Sequence, residues 1–339
     1  MKNRNVLIFA AFGILLFAFI ILNIGFGSSS ISVTDIFRVF AGREGADSGN
    51  ALIITRIRMP RTFAAIAGGA ALAVAGFLLQ TFFNNPVVDP YILGISSGSM
   101  FFVALVILGG WTFGFRRVTP ALLVLAAFTG ALLVMCVLLF VARRIKSVVT
   151  LLVIGVMTGF IAGGGTSILS SFAEKERIVN FSRWSMGSFA GLAWPQVRIL
   201  YAIVIPFCAA ALLMAKSLNA LNMGESYAQS MGINVKLSRI LIILFSSVLT
   251  AGTVAFTGPV SFIGLAVPHI CRTLFHTTNS RILIPACLIC GGLLALSCDF
   301  IARNIIAPVE IPLGAVTALG GAPLAVWLLT RGTGGKLNA

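Results

Sequence analysis

Charge is what this sequence lacks most. Only 10% of its 339 residues are Asp, Glu, Lys or Arg, while 58% are hydrophobic, against roughly 25% and 45–50% in an ordinary soluble chain. A soluble fold of this length needs more polar surface than that to cover itself, so the surrounding medium is lipid. The mean hydropathy of +1.04 agrees. Acids are scarcest, at nine, and only Asp299 falls inside an apolar run. Its i,i+4 spacing to Arg303 allows a helix-end ion pair, with a proton relay as the alternative. His269 and His276 are the only histidines and lack the i,i+4 partner of a zinc-protease helix. No nucleophile, base and orienting group stand at suggestive spacing, which argues against an intramembrane enzyme.

Cysteine is equally uninformative. Six residues are too few for a disulfide scaffold. Cys136, Cys208, Cys271, Cys287, Cys290 and Cys298 lie in or beside apolar runs and read as small buried hydrophobes. Cys287 and Cys290 have C-x-x-C spacing but no second ligand pair for zinc, so no metal is expected. The tail Gly332-Thr333-Gly334-Gly335-Lys336 fails the phosphate-loop pattern, which would need Gly at position 330 and Ser or Thr at 337 where Thr330 and Leu337 stand. No cofactor is expected either. The net charge of +15 lacks the aromatic interleaving of a nucleic-acid surface, and lipid headgroups or partner proteins are its expected counter-charges.

What is present is long neutral runs. A helical segment of about 20 apolar residues crosses the hydrocarbon with every backbone group satisfied. Charge-free runs extend over Val6–Thr34, Thr62–Phe83, Ile92–Gly109, Val118–Ala142, Val148–Ala173 and Ile199–Ala215. The run Ile240–Pro268 is interrupted by Gly258, Pro259 and Gly264, and reads as a full span followed by a broken helix that ends at Pro268. Ile282–Cys298 and Ile311–Thr330 complete the set. The chain is therefore predicted to be all-α and polytopic, a single membrane domain over 1–339 with about ten spans and both termini on one side. Charge clumping disfavours surface-lying amphipathic helices.

The 24 basic residues divide evenly between the two sides, so the positive-inside rule does not orient the chain. Arg143, Arg144 and Lys146 resemble an ordinary inside anchor, whereas Arg56, Arg58 and Arg61 stand opposite. Gly155, Gly159 and Gly163 recur every four residues as a close-packing stripe, and Gly163, Gly164 and Gly165 are candidates for a thinned helix wall beside a passage. The polar loop 216–236 reads as one or two short helices terminated by Gly224 and Gly232. Leu221, Met223, Tyr227 and Met231 form an apolar stripe on it that needs a partner's groove.

Several motifs in order, Arg58-Met-Pro-Arg61, Leu79-Gln80, Asn85-Pro86, Asp89-Pro90, Gly94-Ile-Ser-Ser-Gly98, Gly224-Glu225, Phe262-Ile-Gly264, Pro268-His269, Ala302-Arg303, Glu310-Ile-Pro312 and Gly321-Ala-Pro323, resemble FecCD-type permeases. These are the membrane subunits of ABC importers for iron-siderophores, haem and cobalamin. The resemblance implies a cobalamin-permease-like (type II importer) fold in the cytoplasmic membrane with both termini cytoplasmic. It implies a second permease subunit, identical or paralogous, two ATP-binding subunits and an extracytoplasmic solute-binding protein. It further implies that Arg58, Arg61 and Arg303 dock the binding protein from the outer face. Leu221, Gly224, Glu225, Tyr227 and Gly232 would meet the ATPase, although Ser226-Tyr227 departs from the generic motif. Asn85, Val87 and Ser147 would lie near the cytoplasmic gate. An ion-coupled secondary transporter is the alternative, and the scarcity of intramembrane carboxylates speaks against it.

Overall fold

The computed structural model describes residues 2–27, 34, 38, 39, 48–109, 118–145, 147–307 and 309–332, and among them every regular element is a helix. Lys146 and the tail from Thr333 onward lie outside the described residues. Among the described residues, seven helices are long and apolar enough to cross a bilayer, and three shorter apolar ones accompany them. The long ones are α1 (Lys2–Gly25), α2 (Gly49–Phe83), α4 (Pro120–Arg144), α5 (Val148–Phe172), α7 (Trp194–Leu213), α10 (Val235–Thr257) and α12 (Ser280–Asn304). The shorter apolar ones are α3 (Ile95–Ile107), α11 (Ile263–Phe275) and, counted over Leu313–Pro323, α13 (Leu313–Gly332).

Helix α2 is the axis of the bundle. Nearly every residue from Pro60 to Phe82 is buried, because an Ala- and Gly-rich surface lets neighbours approach to backbone contact. A Cβ on Gly69 would collide with the carbonyl of Gly291 on α12, and one on Gly76 with the carbonyl of Gly264 on α11. Lipid offers no hydrophobic drive between helices, so this contact area is what holds them. Helices α3 and α4 repeat the device through Gly98 and Gly130.

Three expectations change. The span expected from Thr62 starts earlier: α2 begins ten residues before Met59 and passes through a π-helical segment, Ile53–Arg58, so the arginine stretch 56–61 is helical. Pro268 does not end the broken helix, which continues to Phe275; the Gly264 carbonyl that proline leaves without its i,i+4 donor accepts from Gln80 Nε2 at 3.2 Å instead. An amphipathic helix, α6 (Lys175–Ser185), lies between α5 and α7 and tucks Phe181 inward. Its apolar positions are few and flanked by charge, so a charge-free run does not reveal it.

Candidate functional site

At one end of the bundle, the C-terminus of α1, the π-helical entry to α2 and the end of α12 surround a cavity of about 240 Å³. Arg58, Arg61, Arg303 and Glu310 line it together with Gly27, Ile53 and Ile57. All three arginines are buried, at 4%, 7% and 6% exposure. Each is held by this chain. The Arg58 guanidinium donates to the carbonyls of Ile24 (2.8 Å) and Gly25 (2.7 Å), oxygens left without an intrahelical partner where α1 ends. Arg61 is gripped on two sides. Its Nε donates to both carboxylate oxygens of Asp299, at 3.0 and 3.2 Å, and its two terminal nitrogens donate to Glu310 at 2.8 and 3.2 Å. Arg303 pairs with Asp299 at 3.2 Å across one helical turn and donates to the side chain of Asn23.

Asp299 is thus a buried bridge between two guanidiniums, at 1% exposure, whereas the Glu310 side chain is 45% exposed. The helix-end pair with Arg303 is present, but its stronger partner, Arg61, lies 238 residues away. Three cations against two carboxylates leave an excess positive charge behind a half-open acid.

The opposite end carries the 216–236 loop. Two short helices form, α8 (Ala215–Leu221) and α9 (Glu225–Ser230). Gly224 opens α9 and Gly232 follows its end, with φ of +112° and +78°, a region open to glycine and strained for other residues. Leu221 is buried, while Met223, Tyr227 and Met231 are 66%, 42% and 60% exposed. The apolar stripe is therefore split: Leu221 anchors the loop and the other three face outward. Glu225 accepts from Arg239 at 3.1 Å, and Arg239 also donates to the Ile145 carbonyl at 2.9 Å.

Helix α8 is stapled to α12. Asn219 donates to the Asn279 side chain (3.0 Å) and accepts the Ser280 N–H (2.7 Å) at the first turn of α12. The same α12 carries Asp299 and Arg303 at its far end. At 1.5 Å per residue, Ser280 and the Asp299–Arg303 pair on this helix stand about 28–35 Å apart, close to the hydrocarbon thickness. Asn85 and Pro86 share a polar cavity of about 620 Å³ with Asn219, Asn222 and Arg272, so the turn after α2 adjoins the loop. Asn85 Oδ1 accepts the Val87 N–H at 3.0 Å and shapes that turn. Ser147 caps α5, accepting from the Thr150 N–H at 3.2 Å. On α5, Gly163 and Gly164 have open space where a side chain would stand, whereas Gly165 packs under Phe101. Gly155 and Gly159 pack against the Leu93–Gly94 turn.

Sequence reasoning passed over Asn23, Asn219 and the Gln80–Arg272 hydrogen bond (2.7 Å). Gln80, a lone amide in an apolar helix, was the one of these with a signal.

The profile of the FecCD transport family matches residues 15–331. The chain belongs to the FecCD transport family. Among its relatives, the hemin transport system permease protein HmuU of Yersinia pestis is 34% identical over 281 residues, 81% of this chain and 82% of that one. The vitamin B12 import system permease protein BtuC of Klebsiella pneumoniae is 37% identical over 289 residues, 84% of each. An inward-facing metal-chelate type ABC transporter superimposes with a TM-score of 0.84 at 28% identity, covering 96% of this chain and 99% of that one. This FecCD-family chain is a multi-pass membrane permease of the ABC importer class, a transport family and not an enzyme family. Permeases of that class work with ATPase subunits, a substrate-binding protein and a second permease.

Proposed function

We propose that this chain forms half of the translocation path for a metal chelate in the cytoplasmic membrane, loaded at the Arg58–Arg61–Arg303 cavity and driven at the α8–α9 loop. Both termini are cytoplasmic in this reading. The observation that carries it is the placement of the two sites at opposite ends of α12, one an excess of buried arginines behind a half-exposed acid, the other an exposed apolar stripe. A binding protein's carboxylates suit the first. A groove on the ATPase suits the second, with Gly224 setting the bend, Glu225 holding Arg239, Tyr227 facing outward, and Leu221 and Gly232 fixing the frame. Asn85, Val87 and Ser147 stand beside the loop as the inner gate, and Gly163 and Gly164 on the open face of α5 line the path. The cargo class, haem, corrinoid or ferric siderophore, is supported by the relatives that carry haem and vitamin B12.

The test is reconstitution with the cognate ATPase and binding protein, the latter titrated with haemin, cobalamin and ferric siderophores. Uptake that requires ATP and tracks one chelate is expected. Uptake driven by a proton gradient without ATP would instead establish a secondary transporter. Arg58→Gln, which spares the Asp299 bridge, is expected to weaken docking of the binding protein, and unchanged docking removes that site.

A further inference from the structure

A second basic cavity, of about 480 Å³, opens where the end of α4 meets α9 and the start of α10. Four cations line it, Arg143, Arg144, Lys236 and Arg239, against one acid, Glu225. Glu225 is already committed to Arg239 at 3.1 Å, so the remaining three charges are not neutralised by the cavity's own acid. Arg143, Arg144 and Lys236 are exposed.

The position of Arg144 says what arrives there. Leu133, Val137 and Phe140 are 50%, 43% and 57% exposed and follow one another at i, i+4 and i+7 along α4, so they form an outward apolar face on a spanning helix. Arg144 stands one turn further on the same face, and its guanidinium lies 4.5 Å over the Phe140 ring. The cation is thereby held at the level where the apolar belt ends, which is the depth of lipid phosphates. The outward side chain of Tyr227 on α9 is spaced two residues from both Glu225 and Gln229, which line the cavity. An offset of two residues is about 200° around a helix. A protein seated on the apolar stripe therefore meets the other side of α9.

We propose that this cavity binds the phosphate of an anionic phospholipid at the loop-bearing face of the membrane. Basic pockets between spanning helices suit such headgroups, each cation acting near the surface without displacing a helix. The site is independent of the docking cavity at the other end of α12 and of the cargo.

The permease purified in its importer complex, delipidated and exchanged into vesicles of phosphatidylcholine with a minor fraction of phosphatidylglycerol, is read by native mass spectrometry for retained lipid. Phosphatidylglycerol is expected to be retained selectively, and Arg144→Gln and Lys236→Gln to lower its retention about fivefold each. The charge-conserving Arg144→Lys/Lys236→Arg double variant is expected to keep it, and all variants are compared at equal thermal stability of the complex. Equal retention of the two lipids overturns the proposal. So does displacement of phosphatidylglycerol by millimolar inorganic phosphate, which would mark a free-anion site, or shielding of Lys236 from lysine reagents by the ATPase subunit in lipid-free detergent, which would mark a protein contact.

Discussion

Arg61 and Glu310 make the residue scale decisive. Burying Arg61 between two carboxylates is costly unless both remain, and breaking such a set by removing one partner leaves an uncompensated charge. Arg61→Met is therefore expected to destabilise the purified protein by about 3 kcal/mol, read as a lower thermal midpoint, and the Arg61→Met/Asp299→Asn pair to recover part of the loss. A double variant no better than the single would mean that Asp299 does not depend on Arg61. Glu310 behaves oppositely. It is half-exposed and binds the outer fork of Arg61, so it occupies the place an incoming carboxylate would take. Glu310→Gln is expected to tighten binding-protein docking severalfold at low ionic strength, mainly through a faster on-rate. Slower association in a surface-binding assay would show that Glu310 helps to seat the partner. Residues this far apart in sequence could not be paired by spacing; only Arg303 with Asp299, at i,i+4, was legible as a pair.

Elements in this fold are held by what side chains omit. Gly76 touches the backbone of α11, and Gly163 has open space. Gly76→Ala is expected to lower the thermal midpoint, since overpacking costs about 1–3 kcal/mol. Gly163→Ala is expected to leave it unchanged or raise it, alanine being the better helix former by about 1 kcal/mol. If Gly163 lines the path, uptake slows in that same stable variant; normal uptake would remove it from the path. Helix α12 carries a second expectation. Asn219 ties its start to α8, and Asp299 and Arg303 occupy its end. Asn219→Ala is expected to reduce stimulation of the ATPase by the binding protein while basal hydrolysis persists, and equal stimulation in the two proteins would rule out α12 as the connecting rod. The glycine stripe on α5 was visible in the sequence, but its division into packed Gly155, Gly159 and Gly165 and open Gly163 and Gly164 depends on which helices stand alongside.

At the scale of the whole molecule, energy comes from outside the chain. Right-side-out vesicles carrying the complete complex are expected to accumulate chelate only with ATP enclosed and binding protein added outside, and accumulation under a proton gradient alone would overturn that. The open face of α5, where Phe160, Ile161 and Phe172 are 70%, 77% and 87% exposed, is what a second permease would cover. Sequence by itself determined the all-helical membrane class, the broken helix after Thr257, the loop helices bounded by Gly224 and Gly232, and the family, because run length, charge and glycine conformation are local properties of the chain. Tertiary structure alone decided that the three arginines turn inward, that Asp299 bridges two of them, that Asn219 fastens the loop to α12, and that loop and arginine cavity stand a membrane apart. Apart from the Asp299–Arg303 pair, those facts rest on contacts between residues separated by 33 to 280 positions, and hydrophobic patterning specifies which residues enter the bilayer without specifying which helices meet there.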